Sequence, residues 1–424
     1  MSEAAGRDEQ FDVIIVGSGT CGATIARELS RRKKKVLILE RGGDAPVKEN
    51  LWGIASVAKE MPIGEKLKEM QVSATGGATS IYFGVAELPD LDAFRSVGVE
   101  LAPELEEVRR EVPLAELPDG MMGAQALRLR ESAQGMGLAW KKNLMLVDFG
   151  KCASGYSHEA KWKARSFVQE AVADGATLRN GATALKVVVD RKRAVGLEYK
   201  VKRGLGHAVR KASAPKVILA GGAYSSPLLM RKSGIGSAAS RGFYVSPSKL
   251  LFGFVPGLAG KENFMGSMSG KLDRDISLGD ANLSRFFFRM MMLASLKPLR
   301  FGSLSRCISI GIKVRDEVGG ELQNGRYHKV LTRDDYRKLE KGEEAARKIL
   351  RSAGAGGIFA TAVSASGMGG LLRINEDVDA NLQTEIEGLH VCDGSLMPES
   401  SRISPTVSLL CLAKYLSKSL LKSL

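Results

Sequence analysis

The chain has 424 residues, 44% of them hydrophobic, and a formal net charge of +15. That length exceeds what one compact core usually holds, so a large domain plus a second one is expected, and the apolar content argues against disorder. No apolar run approaches the ~20 residues of a membrane helix, and the polar start MSEAAGRDEQ does not read as a secretory leader, so a cytoplasmic protein is expected, with contact to a membrane surface left open. Five cysteines and four histidines are scattered without CxxC or Cys/His clustering, so neither a disulfide framework nor a metal site is expected. The basic residues, densest from Arg31 to Lys35 with a smaller group at Lys200, Lys202 and Arg203, suit a solvated face. They also suit attraction of anionic substrates or acidic lipid head groups. No nucleic-acid signature accompanies them.

In chain order, FDVIIV (11–16) is a short continuous apolar run that suits a strand buried on both faces. A glycine turn follows, then a helix from Ala23 to Arg32 with Ile25, Ala26 and Leu29 on one face, then a buried strand KVLILE (35–40). This is a βαβ unit. Residues 51–75 are mixed and expected to be partly helical, and a second glycine cluster occupies Gly76 to Ser80. Segments 101–137, broken by Pro103, Pro113 and Pro118, and 160–174 read as helices; 176–201 and KVILA (216–220) read as strands. Residues 240–330 are expected to form a sheet-based second domain. A long helix follows from Asp334 to Ala353, and the tail from Leu389 reads as strand, loop and helix.

The turn Gly17-Ser18-Gly19-Thr20-Cys21-Gly22 is a GxGxxG between a strand and a helix, the context a dinucleotide site needs. Gly17 permits the tight turn, Gly19 lets backbone approach a pyrophosphate, and Gly22 lets the helix pack on the strand. The helix N-terminus offers free N–H groups to the phosphates. Glu40, ending the second strand, can accept from both ribose hydroxyls and would repel a 2′-phosphate. FAD and NAD share this fingerprint.

The segment VILAGGAYSSPLLMRKSGIG (217–236) resembles the second signature of the glucose–methanol–choline (GMC) flavoprotein oxidoreductases, and GLHVCDGSLMP (388–398) followed by Ser404-Pro405-Thr406 is similar to the family's C-terminal stretch. The resemblance implies FAD, held by a discontinuous Rossmann-like α/β domain (GMC/p-hydroxybenzoate hydroxylase-like; 8–95, 140–240 and 365–424). An α+β substrate domain (241–364) and a helical insertion (96–139) complete the expected architecture. The FAD contacts it implies are Gly17, Gly19, Thr20, Cys21, Gly22, Glu40, Arg41, Gly76, Gly77, Thr79, Ser80, Ala184, Ala220, Gly221, Asp393, Gly394, Pro405 and Thr406. Thr79 and Ser80 would turn hydroxyls to the pyrophosphate and flavin, and Asp393 would accept from the ribityl chain or hold a phosphate-bound water. Ser404 and Pro405 would be N-cap and first residue of the last helix, aimed at the flavin pyrimidine ring. The leucines of that helix read as core. KCASGYSHEAKWKA (151–164) resembles a segment of a short bacterial and archaeal branch, without most of its cysteines.

The family takes a proton from an alcohol with a histidine while carbon delivers hydride to flavin N5. Here Ser366 stands at the histidine position and Ser404 at the second catalytic position, and a serine hydroxyl is too weak a base to replace imidazole. Ser366, Ser404 and Arg402 are the candidate catalytic residues, with His328 and Tyr82 as further candidates for the base and Arg402 also able to bind an anionic substrate. Three readings stay open: an FAD-dependent oxidoreductase with a non-standard proton acceptor, a flavin-dependent isomerase or lyase, and a catalytically degenerate FAD-binding subunit; contact with a membrane surface or a redox partner is open for each. The apolar run Phe286 to Leu293 is either core or the wall of a hydrophobic substrate pocket.

Overall fold

The computed structural model describes residues 9–64, 66–152, 155–203, 206–236, 242–401 and 404–424. The apolar runs near the start form the centre of a five-stranded parallel sheet. Its spatial order is Thr177–Arg179, Val36–Leu39, Val13–Val16, Lys216–Leu219, Leu389–Val391. Val13, Ile14, Ile15 and all of Val36–Ile38 are fully buried, as expected of strands covered on both faces. Ile25, Ala26 and Leu29 of helix Thr20–Arg31 seal one face, with helices Arg165–Ala173 and Thr406–Ser423 packed beside it. The chain order reverses at Val13–Val16, whose neighbours come from opposite directions. In such sheets the crevice beyond the strand ends at the reversal is where ligands bind.

A second layer of strands, Glu9–Gln10, Gly206–Ser213, Arg193–Arg203 and Ala182–Asp190, carries the basic residues Lys200 and Lys202. The other large sheet is antiparallel, in the order Gly356–Ala360, Pro247–Phe254, Cys307–Val314, Ile276–Asp280, Met268–Lys271, Lys141–Lys142, with Ser364–Ala365 pairing to Pro247–Ser248. Helix Arg333–Ser352 packs on it through Leu339, Ala346, Ile349 and Leu350, and begins with a capping box between Thr332 and Asp335.

The two helices of segment 96–139 attach to different bodies. Ala124–Gly135 packs on Arg333–Ser352, while Ala102–Glu111 packs on the last helix. That second contact is ionic: Lys414, nearly fully buried, reaches Glu28 at 3.0 Å, Glu107 at 3.3 Å and Glu111 at 2.8 Å. Arg27 also pairs with Glu111 and stacks on Phe167, 3.4 Å from the ring centroid. Burial pushes the Glu28 and Glu107 carboxyls up, but Lys414 and its neighbours reverse this and hold both below the ordinary range. Their contribution to stability is therefore complete at neutral pH and is lost as pH falls below that range. Lys414→Met strands three carboxylates together. It is expected to lower stability by about 3–5 kcal/mol, seen as a reduced denaturant midpoint at unchanged slope.

The structure sharpens two expectations. Only Leu51–Val57 of segment 51–75 is helical; Ala58–Ile63 and Leu67–Val72 form an antiparallel hairpin. Pro62 and Gly64, the latter at φ 72°, are incompatible with a continuing helix. The run Phe286–Leu293 is a helix, Arg285–Ala294, with only Phe288 and Met292 fully inside a small cluster; it does not line the dinucleotide cleft.

Candidate active site

The glycine turn sits at the reversal point of the parallel sheet. Gly17 has φ 101°, and a Cβ there would lie 2.4 Å from the Ala220 carbonyl oxygen, so it belongs to the turn. A Cβ on Gly22 would lie 2.0 Å from the Gly17 carbonyl oxygen, so Gly22 belongs to the helix–strand contact. Gly19 is different. Its backbone is extended, and the nearest protein atom to an added Cβ is Gly77 Cα at 3.9 Å. The protein's own packing does not require glycine there; close approach of a bound pyrophosphate does. Helix Thr20–Arg31 starts at Gly19 with no side chain capping it, leaving its first N–H groups to a ligand.

These residues line a cleft of about 300 Å³. Gly17, Gly19, Thr20, Cys21, Glu40, Arg41, Gly77, Ala184, Ala220, Gly221, Asp393 and Gly394 all face it. Ser18 and Thr183, which sequence reasoning missed, face it as well. Glu40 is oriented by the Ser18 hydroxyl (2.6 Å) and N–H (3.2 Å) on one oxygen and the Gly42 N–H (2.7 Å) on the other. The Oε1 oxygen, with the Gly42 N–H as its one donor here, retains an acceptor position for a ribose hydroxyl, whereas both positions of Oε2 are taken by Ser18. The donor set and the free approach at Gly19 fit the adenosine diphosphate half of FAD.

Some of the expected contacts are engaged in holding the loops around the cleft. Asp393 Oδ1 accepts from the Ser395 N–H (2.9 Å) and hydroxyl (2.6 Å), and Oδ2 from the Gly222 N–H (3.0 Å) and Ser226 hydroxyl (2.5 Å). Its four acceptor positions are filled, so instead of holding the ribityl chain it locks loops 221–226 and 393–395 together under the cleft. Burial pushes its carboxyl up while the four donors oppose this. Thr79 and Ser80 also depart from expectation. Their hydroxyls donate to the Gly76 and Thr75 carbonyls and shape their own loop, whose Gly76 N–H donates to the Ser18 carbonyl. The last helix starts at Thr406 with Pro405 as its cap residue and no side-chain cap. Ser404 lies one residue further out than expected, in a left-handed conformation (φ 44°). Among the leucines of that helix, Leu409 faces the cleft, and Leu410, Leu412, Leu416 and Leu420 are core.

Among the described residues, none of the candidate bases lines the cleft. Ser366 is exposed, its hydroxyl donates to the Ser246 carbonyl at 2.8 Å, and it does not line the cleft. Ser366→Ala is therefore expected to leave turnover within about twofold of the parent in a steady-state assay. The Tyr82 hydroxyl donates to the Trp162 carbonyl at 2.5 Å, and burial raises its pKa. His328 is exposed on strand Arg326–His328, away from the cleft. Arg402 lies outside the described residues.

The structure brings a different group to this end of the cleft. Strand Leu67–Val72 of the hairpin contributes Glu69, Met70, Gln71 and Val72 to the wall. Gln71 donates to the Ser225 hydroxyl at 3.2 Å, joining the hairpin to the 217–236 signature. Glu69 Oε1 accepts the Met368 N–H at 3.2 Å, two residues beyond Ser366, whereas Oε2 is sealed from solvent without a hydrogen-bond partner. Burial pushes the Glu69 carboxyl up to about 7, against the Met368 N–H and the charge of Lys313. Lys313, whose Nζ donates to the Ser366 carbonyl at 3.0 Å, is itself pushed down to about 8 by burial, opposed by Glu87, Glu69 and Asp316. No motif marks Glu69. Its hairpin mixes charged and apolar residues like many surface segments.

In the segment 151–164, Lys161 is buried and donates to the Tyr156 hydroxyl at 3.1 Å, and that hydroxyl donates to Glu49 at 2.5 Å.

Residues 93–259 match the GMC oxidoreductase family, and residues 15–46 match the NAD(P)-binding Rossmann-like domain. An uncharacterised protein of Methanocaldococcus jannaschii is 24% identical over 97% of this chain and 100% of its own length. The sinalpyl alcohol oxidase of Nesocodon mauritianus is 26% identical over 54% of this chain, a match that spans 45% of that enzyme. The solved structure of pyridoxine 4-oxidase from Mesorbium loti shares the fold with a TM-score of 0.73 at 15% identity, over 96% of this chain and 99% of that one. With the cleft that these residues build, the match over residues 93–259 supports membership of the FAD-dependent GMC oxidoreductase family.

Proposed function

We propose that the chain oxidises a hydroxyl-bearing carbon of a small, largely apolar organic molecule and that Glu69 is the proton acceptor. Bound FAD would supply the hydride acceptor. The Gly17–Gly22 turn, the N-terminus of helix Thr20–Arg31 and Glu40 hold its adenosine diphosphate half, and the Asp393 network fixes the two loops beneath. Met61, Met70, Val72 and Leu409 make the cleft wall apolar and adaptable, which suits an apolar substrate. The alcohol oxidase among the relatives supports a hydroxyl-bearing carbon.

The observation that carries the proposal is Glu69, a residue of the cleft wall whose buried Oε2 has no hydrogen-bond partner. A buried carboxyl near neutrality is poised to take a proton, whereas a serine is not. Lys313 beside it steadies the carboxylate before transfer and favours loss of the proton afterwards.

The test is a pH profile of kcat/KM with a panel of primary alcohols and a dye acceptor. The ionised carboxylate is the active form, so the rate should rise about tenfold per pH unit below about 7 and level off above it. A profile flat from acid to neutral pH would sink Glu69 as the base. Turnover without consumption of an acceptor would select isomerisation instead.

A further inference from the structure

Helix Arg285–Ala294 and the turns after it form a surface unlike the rest of the molecule. The helix turns Phe287, Phe288, Met291 and Met292 inward, where Phe287 meets Phe83 at 5.5 Å between ring centroids. Leu293, Leu296 and Leu299 point outward at three-residue intervals and are 53%, 89% and 98% exposed. A leucine nearly as accessible as in an extended chain is a projecting knob, and two of them beside a half-exposed third are uncommon on a surface that stays in water.

The charge around these knobs has one sign. From Ala281 to Arg315 the sequence holds seven Lys/Arg and no Asp or Glu. Arg285, Arg289, Lys297, Arg300 and Arg306 are exposed, and among the described residues none has a carboxylate within ion-pair distance. Lys297 and Arg300 instead lie over Phe359 and Phe254, at 4.9 and 4.5 Å from the ring centroids. The acidic groups nearby are at the helix start. Glu262 accepts the Arg285 N–H at 2.6 Å, and Glu49 accepts the hydroxyl of Ser284, the residue before the helix. Two residues beyond Glu49, helix Leu51–Val57 opens with Leu51 and Trp52, 52% and 83% exposed.

We infer that this face, centred on Leu293, Leu296 and Leu299, docks the protein on an anionic lipid bilayer. Leucines that project between arginines and lysines match the boundary between acyl chains and head groups, and an exposed tryptophan is at home in the same layer. A second copy of this chain is a poor occupant, because the same basic residues would face themselves across the contact. The inference is independent of the chemistry proposed above, since none of these residues lines the cleft. Among the described residues no helix is long and apolar enough to span a membrane, so attachment would be peripheral.

The experiment is co-sedimentation of the FAD-loaded protein with vesicles. One set is phosphatidylcholine alone and the other is phosphatidylcholine mixed with phosphatidylglycerol. Binding is expected only to the mixed vesicles and should weaken as salt is raised. Leu296→Glu with Leu299→Glu should reduce binding at least tenfold, and Arg289→Ala by about fivefold, the worth of one basic residue near such a surface. FAD content and denaturant midpoint are measured alongside, and should match the parent. Failure of the parent to bind mixed vesicles, or equal binding by the double-leucine variant, would overturn the inference. So would a dimer of the parent that the double variant dissolves, which would assign the face to a second copy.

Discussion

Gly19→Val is expected to abolish FAD uptake while leaving the fold intact. Its backbone angles, φ −70° and ψ −167°, lie in a region β-branched residues accept, and an added Cβ meets no protein atom closer than 3.9 Å. The side chain would stand between the turn and a bound pyrophosphate. Losing two charge-assisted hydrogen bonds from the helix N-terminus, at about 1.5–3 kcal/mol each, weakens binding roughly 10²- to 10⁴-fold. Titration with FAD, followed by flavin fluorescence, checks this against an unchanged denaturant midpoint. Gly17→Val provides the contrast. There the positive φ and the Ala220 carbonyl 2.4 Å from an added Cβ make folding itself suffer. If Gly19→Val bound FAD like the parent, the pyrophosphate would have to lie elsewhere.

The second large effect concerns the proton. Glu69→Gln keeps the size of the side chain and an acceptor for the Met368 N–H but removes the base. Turnover is expected to fall roughly 10²- to 10⁴-fold, with FAD content unchanged and the rise through pH 7 gone. Glu69→Asp should recover part of the rate, because the carboxylate remains but withdraws from its position. A purely structural Glu69 would give a different pattern, with Gln tolerated in turnover and the pH limb preserved.

The cofactor half of the molecule was legible because its chemistry is local. Strand, glycine turn and helix are contiguous from Phe11 to Arg31, and Gly17 and Gly22 answer constraints within a few residues or across one neighbouring strand, while Gly19 answers the ligand. The apolar strands at 36–39, 216–219 and 389–391 are likewise short runs with a single environment on both faces. The long helix was legible from its periodicity, misplaced by one residue at each end. The catalytic end was not legible, because it depends on contacts distant in sequence. Glu69 meets Met368 across 299 positions, and nothing in KLKEMQV distinguishes its one glutamate, which lines the cleft, from an ordinary exposed one. Resemblance drew attention to Ser366 because histidine usually stands there, yet its hydroxyl is turned to the Ser246 carbonyl. Asp393 and Thr79 show the same limit in another form. A polar residue in a cofactor motif can serve by holding the loop that meets the ligand, and only the hydrogen-bond partners tell the two roles apart.

The basic charge divides the same way. Part of it is paired, as in Arg31 with Glu170 at 2.6 Å, and part is gathered beside Leu293, Leu296 and Leu299 without acidic partners. Composition alone does not separate a solvated face from a docking face; the accessibility of neighbouring leucines does.

The central claim, that the cleft at Gly17–Gly22 holds FAD, is tested most directly by FAD titration of purified, cofactor-stripped protein. The account predicts saturable, stoichiometric uptake with the visible absorbance of a bound flavin, and loss of that uptake in Gly19→Val. A folded parent protein that remains colourless after exposure to excess FAD would contradict it.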